Sequence, residues 1–439
     1  MVDVVIPTTS ADLPSRLTSY LSLLCSSLGH VDRHEPCREY LRGLLMPGHR
    51  KSMEPMAARL SPRTTSAKHQ VLQHFVSDSK WKEQRLLDAA VDWALPTLLA
   101  HGGMSAWIVD DTGMAKQGDH SVGVARQYCG NLGKQDNCQV AVSVSVANAQ
   151  LSFPVAWRLY LTEEWASDAA RRKKVGVPTE VVFQTKWSLA LAELDRMKKR
   201  GIPLAPVLAD AGYGTATAFR DGLTERGMQY IVGVTGEMTV WPSGQQPLPP
   251  KPWSGTGRKP TALRRDADHR PVAVTALAAA LPASAWTTVT WREAADGKPL
   301  TSRFAAVRVR PAHRDQQRSE PRPEEWLLIE WPPGEKAPTK YALSNLPAST
   351  TINDLVRLYK LRWRIEHDYL ELKDQLGLDH FEGRSWRGFH HHGALCIAAY
   401  CFVAVERATI FPPRHHPIIK APTTSKRIPR GSPRHRTTT

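Results

Sequence analysis

The chain has 439 residues, with 58 Lys and Arg against 42 Asp and Glu, so its formal net charge is +16. This length allows two or three domains. A basic excess spread along the chain favours a polyanion such as nucleic acid as the partner, because neutralised phosphates release counterions. The N-terminus lacks the pattern of a secretion signal, and no apolar run approaches the roughly 18 residues of a membrane span. We therefore expect a cytoplasmic protein without a membrane partner.

Residues 1–100 carry apolar side chains at helical spacing. Basic residues such as Arg50, Lys51 and Arg63 are interspersed among them. The pattern is consistent with a helical DNA-binding domain or with a helical cap on the next domain, and the sequence leaves both open. The predicted helices are Leu13–Leu28, Arg38–Leu45, Ser66–Phe75 and Trp81–Leu99.

Residues 101–234 change to strand-like patterns. Three strands are followed by alternating helices and strands, which indicates a mixed sheet with antiparallel and parallel parts. The predicted strands are Met104–Asp111, Asn137–Ala147, Ser152–Leu161, Pro206–Asp210 and Gln229–Val234. The predicted helices are Glu180–Arg200 and Thr215–Arg226.

Residues 235–340 are rich in Pro and Gly and predict an insertion into this sheet. Three short β-like runs occur in it, at Trp286–Trp291, Phe304–Arg310 and Trp326–Trp331. Such runs between turn-forming residues are typical of a β-rich segment.

Residues 341–406 return to the earlier pattern. A strand, Tyr341–Asn345, is predicted to rejoin the main sheet, and a single long helix, Ile352–Leu376, comes after it. His390–His392 predict a polar turn before an apolar helix, Ala394–Val405. Residues 407–439 contain no acid and much Pro and Thr, which predicts a basic disordered tail.

The most informative residues are Tyr359, Arg362, Glu366 and Lys373 in the long helix. On a continuous helix with about 100° per residue, the four fall within an arc of roughly 60°. They lie beside the apolar stripe, whereas the charges of a merely solvated face would lie opposite it. A surface helix with chance spacing remains the alternative on geometry alone.

Two further carboxylate positions end predicted strands, Asp110-Asp111 and Asp210. Strand-end carboxylates that meet one from a helix can hold two divalent ions about 4 Å apart, an arrangement suited to phosphoryl transfer. Mg²⁺ prefers oxygen ligands, which fits Asp and Glu at all three positions. Each Asp alone is more typical of a turn or a helix N-cap; the combination with Glu366 is what favours a metal site.

The order of these elements resembles the RNase H-like core of DDE transposases, an α/β fold. Its mixed sheet is flanked by helices and interrupted by a β-rich insertion. The Tyr-Arg-Glu-Lys spacing is similar to the signature of bacterial insertion-sequence transposases that carry such an insertion. The segments VDDTGMAK, GVARQYCGNLGK and VLADAGYG also resemble one branch of that group. The resemblance covers roughly residues 20–406.

The resemblance implies specific roles for these residues. Asp111, Asp210 and Glu366 would be the catalytic, metal-binding triad; Asp111 is preferred because the family places this Asp directly before Thr. Asp110 is its alternative, since alternation along a strand lets only one of the two face the site. The predicted phosphate contacts are Tyr359, Arg362 and Lys373.

Two more basic residues are candidates for DNA contact. Arg126 and Lys134 lie on a glycine-rich segment, residues 123–134, which could approach phosphates closely or form a plain hairpin turn. In this family the insertion can stack an aromatic ring on a flipped base. The available tryptophans, among which the sequence does not choose, are Trp241, Trp253, Trp286, Trp291, Trp326 and Trp331.

The resemblance implies a cut-and-paste transposase that uses two Mg²⁺ ions, for which Mn²⁺ can substitute. Its partners would be the terminal inverted repeats and target DNA, and it would act as a homodimer at the bacterial nucleoid. Five segments are expected: a helical DNA-binding domain (1–100), the catalytic core in two parts (101–234 and 341–406), the insertion (235–340) and the tail (407–439). Two alternatives remain, an inactive transposase acting as a DNA-binding regulator and an RNase H-like nuclease without strand transfer.

Overall fold

The computed structural model describes residues 12–294 and 296–410, apart from the side chain of Asn131. The first of these residues begins a helix: Asp12 is its N-cap, and Oδ1 accepts a hydrogen bond from the backbone N–H of Ser15 at 2.9 Å. Within the described residues, five α-helices precede the first strand, one more than the sequence predicted. They are α1 (Leu13–Ser26), α2 (His34–Leu45), α3 (Met53–Leu60), α4 (Thr65–Ser77) and α5 (Glu83–Ala100).

These helices share one hydrophobic core with the central strands and the C-terminal helices. Tyr20 of α1 donates a hydrogen bond to the carbonyl of Ala398 at 2.8 Å, and Arg16 pairs with Glu406 at 2.6 Å. Both partners belong to α14 (Trp386–Ile410), the last helix of the described chain. The N-terminal helices therefore pack as a cap on the central fold, the second of the two arrangements considered for residues 1–100.

Helix α14 is longer than predicted and corrects two expectations. His390–His392 lie inside it and are buried, so the predicted polar turn is wrong. Residues 407–410 continue the helix, so the basic tail does not begin at residue 407, and its remainder, 411–439, lies outside the described residues. Among the described helices, α14 is the one apolar and long enough to cross a membrane, but 78% of its most apolar window is buried inside the protein. It is the central core helix.

The central strands have the topology predicted for an RNase H-like core. In the order β4-β3-β1-β5-β6, β3 is antiparallel to β1 and β4, whereas β1, β5 and β6 are mutually parallel. β2 pairs with the beginning of β3 and forms an edge hairpin. The strands are β1 (Ala106–Ala115), β2 (Ala125–Cys129), β3 (Lys134–Ala147), β4 (Ser152–Leu159), β5 (Val207–Ala209) and β6 (Tyr230–Val234). The α/β fold class is confirmed.

The helices between these strands are shorter than predicted. The helix expected at Glu180–Arg200 begins at Lys186, because Thr185 caps it by accepting from the backbone N–H of Ser188 at 3.3 Å. The helix expected at Thr215–Arg226 has a separate turn in front of it. The elements are α6 (Glu163–Ser167), α7 (Ala169–Val175), α8 (Lys186–Lys199), α9 (Ala211–Gly214) and α10 (Thr217–Glu225).

The insertion extends the central sheet. Beyond β6 the order continues β12-β11-β10-β7-β8, with β9 on the other part of β10. Tyr341 and Leu343 of β12 belong to a second hydrophobic cluster with Val240, Val309 and Leu327 of the insertion. The elements of the insertion are β7 (Thr239–Pro242), β8 (Val272–Ala273), α11 (Val274–Ala279), β9 (Thr287–Glu293), β10 (Pro299–Pro311) and β11 (Glu325–Trp331), and β12 (Lys340–Ser344) follows them. The predicted return of a strand to the main sheet is confirmed.

The predicted long helix Ile352–Leu376 is wrong as a single element. It forms two helices, α12 (Ile352–Lys360) and α13 (Trp363–Asp374), separated by Leu361 and Arg362. The predicted end of the first strand at Asp111 is also wrong. β1 continues for four residues, so both aspartates lie within the strand.

A close approach of two backbones fixes the position of α9. A Cβ on Gly214 would lie 2.0 Å from the carbonyl oxygen of Gly233 in β6 and 2.8 Å from Cβ of Val232. We expect Gly214→Ala to force α9 off the sheet and to lower the free energy of unfolding by about 1–3 kcal/mol. Urea denaturation measures this. Gly118→Ala, where a Cβ would meet nothing within 4 Å, is the control and should change stability little; an equal loss in both variants would contradict the packing argument.

Candidate active site

The two adjacent aspartates of β1 face opposite sides of the sheet. Asp110 lies opposite Ser143 and Asp111 opposite Val142 in the antiparallel pairing with β3, and paired residues share a face. The hydroxyl of Ser143 is hydrogen-bonded to that of Tyr369 in α13. Asp110 therefore lies on the face covered by α13, the helix that carries Glu366.

Asp111 lies on the other face, beneath α8. Its Oδ2 pairs with Nζ of Lys186, the first residue of that helix, at 2.8 Å. The ammonium group of Lys186 also lies 5.6 Å from the ring centre of Tyr160. The structure thus separates Asp111 from the face on which Glu366 lies.

Asp210 is level with Asp110 across the sheet. Trp107 and Ile108 of β1 pair with Val207 and Leu208 of β5 in parallel register, and continuing this register brings the two aspartates side by side. Asp210 follows the last residue of β5 and caps α9, where Oδ1 accepts from the backbone N–H of Tyr213 at 3.2 Å. The close packing of α9 on β6 at Gly214 therefore also positions Asp210.

The break between α12 and α13 brings Arg362 to these carboxylates. The backbone N–H of Leu361 donates to the carbonyl of Leu358 at 2.9 Å, and that of Ile365 donates to the carbonyl of Arg362 at 3.2 Å. Hydrogen bonds to the third preceding residue tighten a helix locally to a 3₁₀-type turn. No Pro or Gly occurs between Tyr359 and Lys373 to mark this break in the sequence.

Arg362 links a carboxylate of β1 to one of α13. Its Nη1 lies 3.5 Å from Oδ2 of Asp110, and its Nη2 lies 2.6 Å from Oε1 of Glu366. The Asp110 side chain is 15% exposed and that of Glu366 is 57% exposed. The pair of contacts joins two predicted site positions from elements far apart in sequence, and leaves the Glu366 side open to solvent.

The electrostatics of the site centre on Asp110. Burial raises the pKa of Asp110 to about 7; Arg362 lowers it, and the nearby carboxylates Asp210 and Asp111 raise it further. Two carboxylates that approach one another resist joint ionisation unless a cation is present. Arg362 is one such cation, and a divalent ion would be a stronger one.

The donor set fits a divalent metal chemically, although the described residues contain no three acidic, imidazole or thiol groups already clustered around a common point. Asp110, Asp210 and Glu366 supply only oxygen, the ligand that Mg²⁺ prefers. The hydroxyl of Tyr213 is buried without a hydrogen-bond partner among the described residues. Burial raises its pKa, and the carboxylates of Asp111, Asp110 and Asp210 raise it further.

Tyr359 and its neighbour Lys360 connect the site to the insertion. Burial raises the pKa of Tyr359 to about 12, and its phenol lies within electrostatic range of Arg362. Nζ of Lys360 donates to both carboxylate oxygens of Glu330 in β11, at 2.6 and 2.7 Å, and lies 4.3 Å from the ring centre of Trp291 in β9. The insertion therefore holds the last turn of α12, directly before Arg362.

The other predicted DNA contacts lie elsewhere. Lys373 is buried, and its Nζ donates to the carbonyl of Gly113 at 2.9 Å, which fastens α13 to β1. Arg126 is exposed on β2, and Lys134 is exposed at the start of β3, where it pairs with Asp136 at 3.0 Å. The glycine-rich segment thus forms a hairpin at the edge of the sheet, near the same end of β1 as the carboxylates.

The tryptophans of the insertion have different surroundings. Trp241 is buried and donates to Asp315 at 2.7 Å, whereas Trp253 is 52% exposed. Trp291 reaches the end of α12 through Lys360. Those that contact arginine side chains are Trp286 and Trp331, with Arg303, and Trp326, with Arg308.

The structure brings together residues that sequence reasoning did not select. Ser143 and Tyr369 identify the face of Asp110, Lys186 pairs with Asp111, and the aspartates raise the pKa of Tyr213. Tyr213 and Tyr369 each follow a predicted acidic site residue by three positions, a helical spacing that could have marked them.

Comparison with known proteins bears on this geometry. The family model described as DDE superfamily endonuclease matches residues 23–298, a range that contains both aspartate positions and ends before Glu366. The probable transposase for insertion sequence element IS701 of Microchaete diplosiphon is 32% identical over 166 residues. This alignment covers 38% of the chain and 40% of the relative, so the chain matches less than half of that protein's length.

Proposed function

The chain belongs to the DDE superfamily of endonucleases, and we propose that it is a transposase that excises an insertion sequence and joins it to target DNA. The observation that carries this proposal is that Arg362 pairs with both Asp110 and Glu366, while the register of β1 and β5 brings Asp210 beside Asp110 on the RNase H-like sheet. The resemblance of Tyr359, Arg362, Glu366 and Lys373 to the signature of insertion-sequence transposases supports it. The similarity to a transposase points in the same direction.

Asp110, Asp210 and Glu366 are the proposed ligands of two Mg²⁺ ions, for which Mn²⁺ can substitute. Enzymes of this superfamily generally use divalent metals, and the all-oxygen donor set suits them. When bound, such ions activate the attacking oxygen and stabilise the leaving one. The sequence analysis preferred Asp111 over Asp110 as the first metal ligand. That preference stays a prediction, but the sheet geometry favours Asp110.

The proposed reaction has two stages with one chemistry. In the first, an oxygen of water attacks a phosphorus at the element boundary, and the bond to the 3′ oxygen breaks. The strand ends with a 3′-hydroxyl and its neighbour with a 5′-phosphate. In the second, the freed 3′-hydroxyl attacks a phosphorus of target DNA, and the bond from that phosphorus to the target's own 3′ oxygen breaks and leaves a 3′-hydroxyl on the target. One set of carboxylates suffices, because only the attacking oxygen changes.

We propose DNA contacts on two parts of the surface. Tyr359 and Arg362 lie at the carboxylates and would hold the phosphates nearest the cleaved bond, since the guanidinium fork matches a phosphate in geometry. Arg126 and Lys134 on the edge hairpin would contact the duplex further away. Lys373, fastened to Gly113, would support β1 and reach a phosphate only after leaving that carbonyl.

The proposed partners are the terminal inverted repeats and target DNA. The net charge of +16 favours such partners. The N-terminal helices would serve in end recognition while packed on α14. We also propose a homodimer, because two ends must be cut together, and action in the bacterial cytoplasm at the nucleoid.

The test is cleavage of a labelled duplex that carries the DNA flanking the gene, with Mg²⁺, with Mn²⁺ and with a chelator. The proposal expects nicks at the element boundary that need a divalent ion, followed by joining of the 3′ end to a second duplex. Binding without cutting under every metal condition would indicate a DNA-binding regulator instead. Cutting without joining, at scattered positions, would indicate an RNase H-like nuclease.

A further inference from the structure

Arg362 uses the same carboxylate oxygens that a shared metal ion would need. Its two terminal nitrogens contact Asp110 Oδ2 at 3.5 Å and Glu366 Oε1 at 2.6 Å, so a single guanidinium bridges β1 and α13. Arg362 side-chain exposure is 27%. Solvent therefore reaches a guanidinium that is otherwise enclosed by acidic groups.

A metal ion and this guanidinium compete for the same position between the carboxylates. The guanidinium stays charged at any physiological pH, so it cannot yield by losing a proton. An oxygen lone pair that accepts from an N–H is not free for a metal, and two cations within one small site repel each other. Joint coordination through Asp110 Oδ2 and Glu366 Oε1 would thus require that Arg362 leave at least one of them.

We propose that Arg362 blocks joint metal binding by Asp110 and Glu366 until a DNA phosphate draws its guanidinium away. This inference rests on the proposed function and deepens it by assigning a regulator of the same site. A phosphate is the suitable competitor because it accepts two parallel hydrogen bonds from the guanidinium, as a carboxylate does. DNA and metal ions would then complete the site together, because the phosphate releases the carboxylates to which the metal binds.

The position of Arg362 in the chain allows this change. It lies at the break between α12 and α13, where its backbone N–H donates to the carbonyl of Tyr359 at a long 3.4 Å. Lys360, fixed to Glu330, holds the turn before it, so the side chain can move while α12 stays in place. Glu366, on the first turn of α13, is the more exposed of the two carboxylates.

The consequence is reciprocal coupling between metal and DNA. If a phosphate contact removes Arg362 from the carboxylates, DNA strengthens metal binding, and metal must strengthen DNA binding by the same factor. A protein with this coupling would assemble its metal site only where DNA is already seated. This would restrain hydrolysis of DNA that is not engaged through Arg362.

The experiment measures Mn²⁺ affinity, from the electron paramagnetic resonance signal of free Mn²⁺, for wild type and Arg362→Gln without DNA. We expect Arg362→Gln to bind Mn²⁺ about tenfold more tightly or better, because the competing ion pairs and the positive charge are gone. Arg226→Gln is the matched control, since Arg226 also pairs with a carboxylate, Asp195 at 2.8 Å, but away from the site at the end of α10. It should leave Mn²⁺ affinity unchanged.

A second arm adds the duplex that flanks the gene. Wild type should gain Mn²⁺ affinity with the duplex, and Arg362→Gln should not, because its site is already released. Arg362→Lys keeps the charge without the fork and should stay near wild type without DNA. Its thermal unfolding, together with that of Arg362→Gln, shows that both variants fold.

The outcomes separate this inference from the proposed function. Equal or weaker Mn²⁺ binding by Arg362→Gln, in a protein whose wild type cleaves the duplex, overturns the inference and leaves the transposase proposal standing. Tighter binding by Arg362→Gln with no cleavage by wild type supports the competition and counts against the transposase. Absence of Mn²⁺ binding by both proteins overturns the inference.

Discussion

Asp110→Asn should lower the rate of metal-dependent cleavage by about 10³-fold or more, whereas Asp111→Asn should retain it within about fivefold. Loss of a metal-binding carboxylate removes several kcal/mol of transition-state stabilisation, and each 1.4 kcal/mol is about tenfold in rate. Asp111 instead makes a partly exposed pair with Lys186 on the opposite face of the sheet. Such a pair contributes roughly 1 kcal/mol or less. Single-turnover cleavage of the flanking duplex measures both rates.

The same series of variants tests the other two carboxylates. Asp210→Ala and Glu366→Gln should match Asp110→Asn in cleavage while leaving binding of the duplex largely intact, because neither change removes a basic group. Lys186→Met is the control for the opposite face and should behave as Asp111→Asn does. The reverse pattern, with Asp111→Asn inactive and Asp110→Asn active, would make Asp111 the first ligand, as the resemblance implied. Full cleavage by Glu366→Gln would remove this site from the reaction altogether.

The sequence alone could not decide which of the two aspartates faces the helix that carries Glu366. Alternation along a strand establishes that Asp110 and Asp111 face opposite sides, but it does not say which side carries the helix with Glu366. That information comes from a contact between Ser143 and Tyr369, which are 226 positions apart in the chain. Asp210 was easier to predict, because an Asp that ends a strand before a glycine-rich turn indicates both the end of the strand at which it lies and its role as a helix N-cap.

The sequence predicted that Tyr359, Arg362, Glu366 and Lys373 lie in helical structure. It did not predict the break between α12 and α13. Apolar residues at helical spacing run through Ile352–Leu376 without Pro or Gly, so periodicity alone predicts one helix. Contacts made by distant residues accompany the break: Lys360 binds Glu330, and the guanidinium of Arg292 stacks 3.9 Å from the ring centre of Trp363. Both partners belong to the insertion. The sequence could not show that the insertion contacts α12 and α13 on both sides of the break.

The histidines of α14 were misread for a related reason. Three adjacent polar residues predict a turn, but each ring here finds backbone or hydroxyl partners from other parts of the fold. His390 Nδ1 donates to the carbonyl of Trp386 at 2.9 Å, and Nε2 accepts from the backbone N–H of Leu159 at 3.4 Å. Polar side chains can be buried at little cost when their hydrogen bonds are satisfied. No local sequence pattern indicates that distant groups will satisfy the hydrogen bonds of these rings.

These satisfied histidines should make stability depend on pH. His392 donates through Nε2 to the carbonyl of Gly377 at 2.9 Å, and its Nδ1 lies 2.8 Å from the hydroxyl of Tyr40, which can donate to the neutral ring. Burial lowers the pKa of His390 and of His392 to about 4. His391 differs, because both of its nitrogens lie beside carbonyl oxygens, an arrangement that favours the charged ring while burial disfavours it.

The lowered pKa values determine the direction of this pH dependence. An unfolded chain binds a proton at each histidine near pH 6.5, whereas the folded protein binds it only near pH 4, so their stabilising contribution is complete above pH 6.5 and lost as pH falls towards 4. At pH 5 the loss is about 2 kcal/mol per histidine. Asp110 and Asp368, whose pKa burial raises to about 7, act in the opposite sense. The pH dependence of wild-type stability therefore combines opposite contributions. Differences in the free energy of unfolding between variants separate them.

The measurement is the free energy of unfolding by urea at pH 7.5 and pH 5.0 for wild type and for His390→Gln/His392→Gln. The double variant should be less stable than wild type at pH 7.5, because it loses buried hydrogen bonds. This deficit should shrink by about 4 kcal/mol at pH 5.0, since glutamine does not titrate. Asp368→Asn should show the opposite trend and gain stability relative to wild type as pH rises. Exposed His49→Gln is the surface control and should change stability little at either pH. A deficit of the double variant that is equal at both pH values would mean that the folded and unfolded protein bind protons alike at these two rings, and it would contradict the prediction.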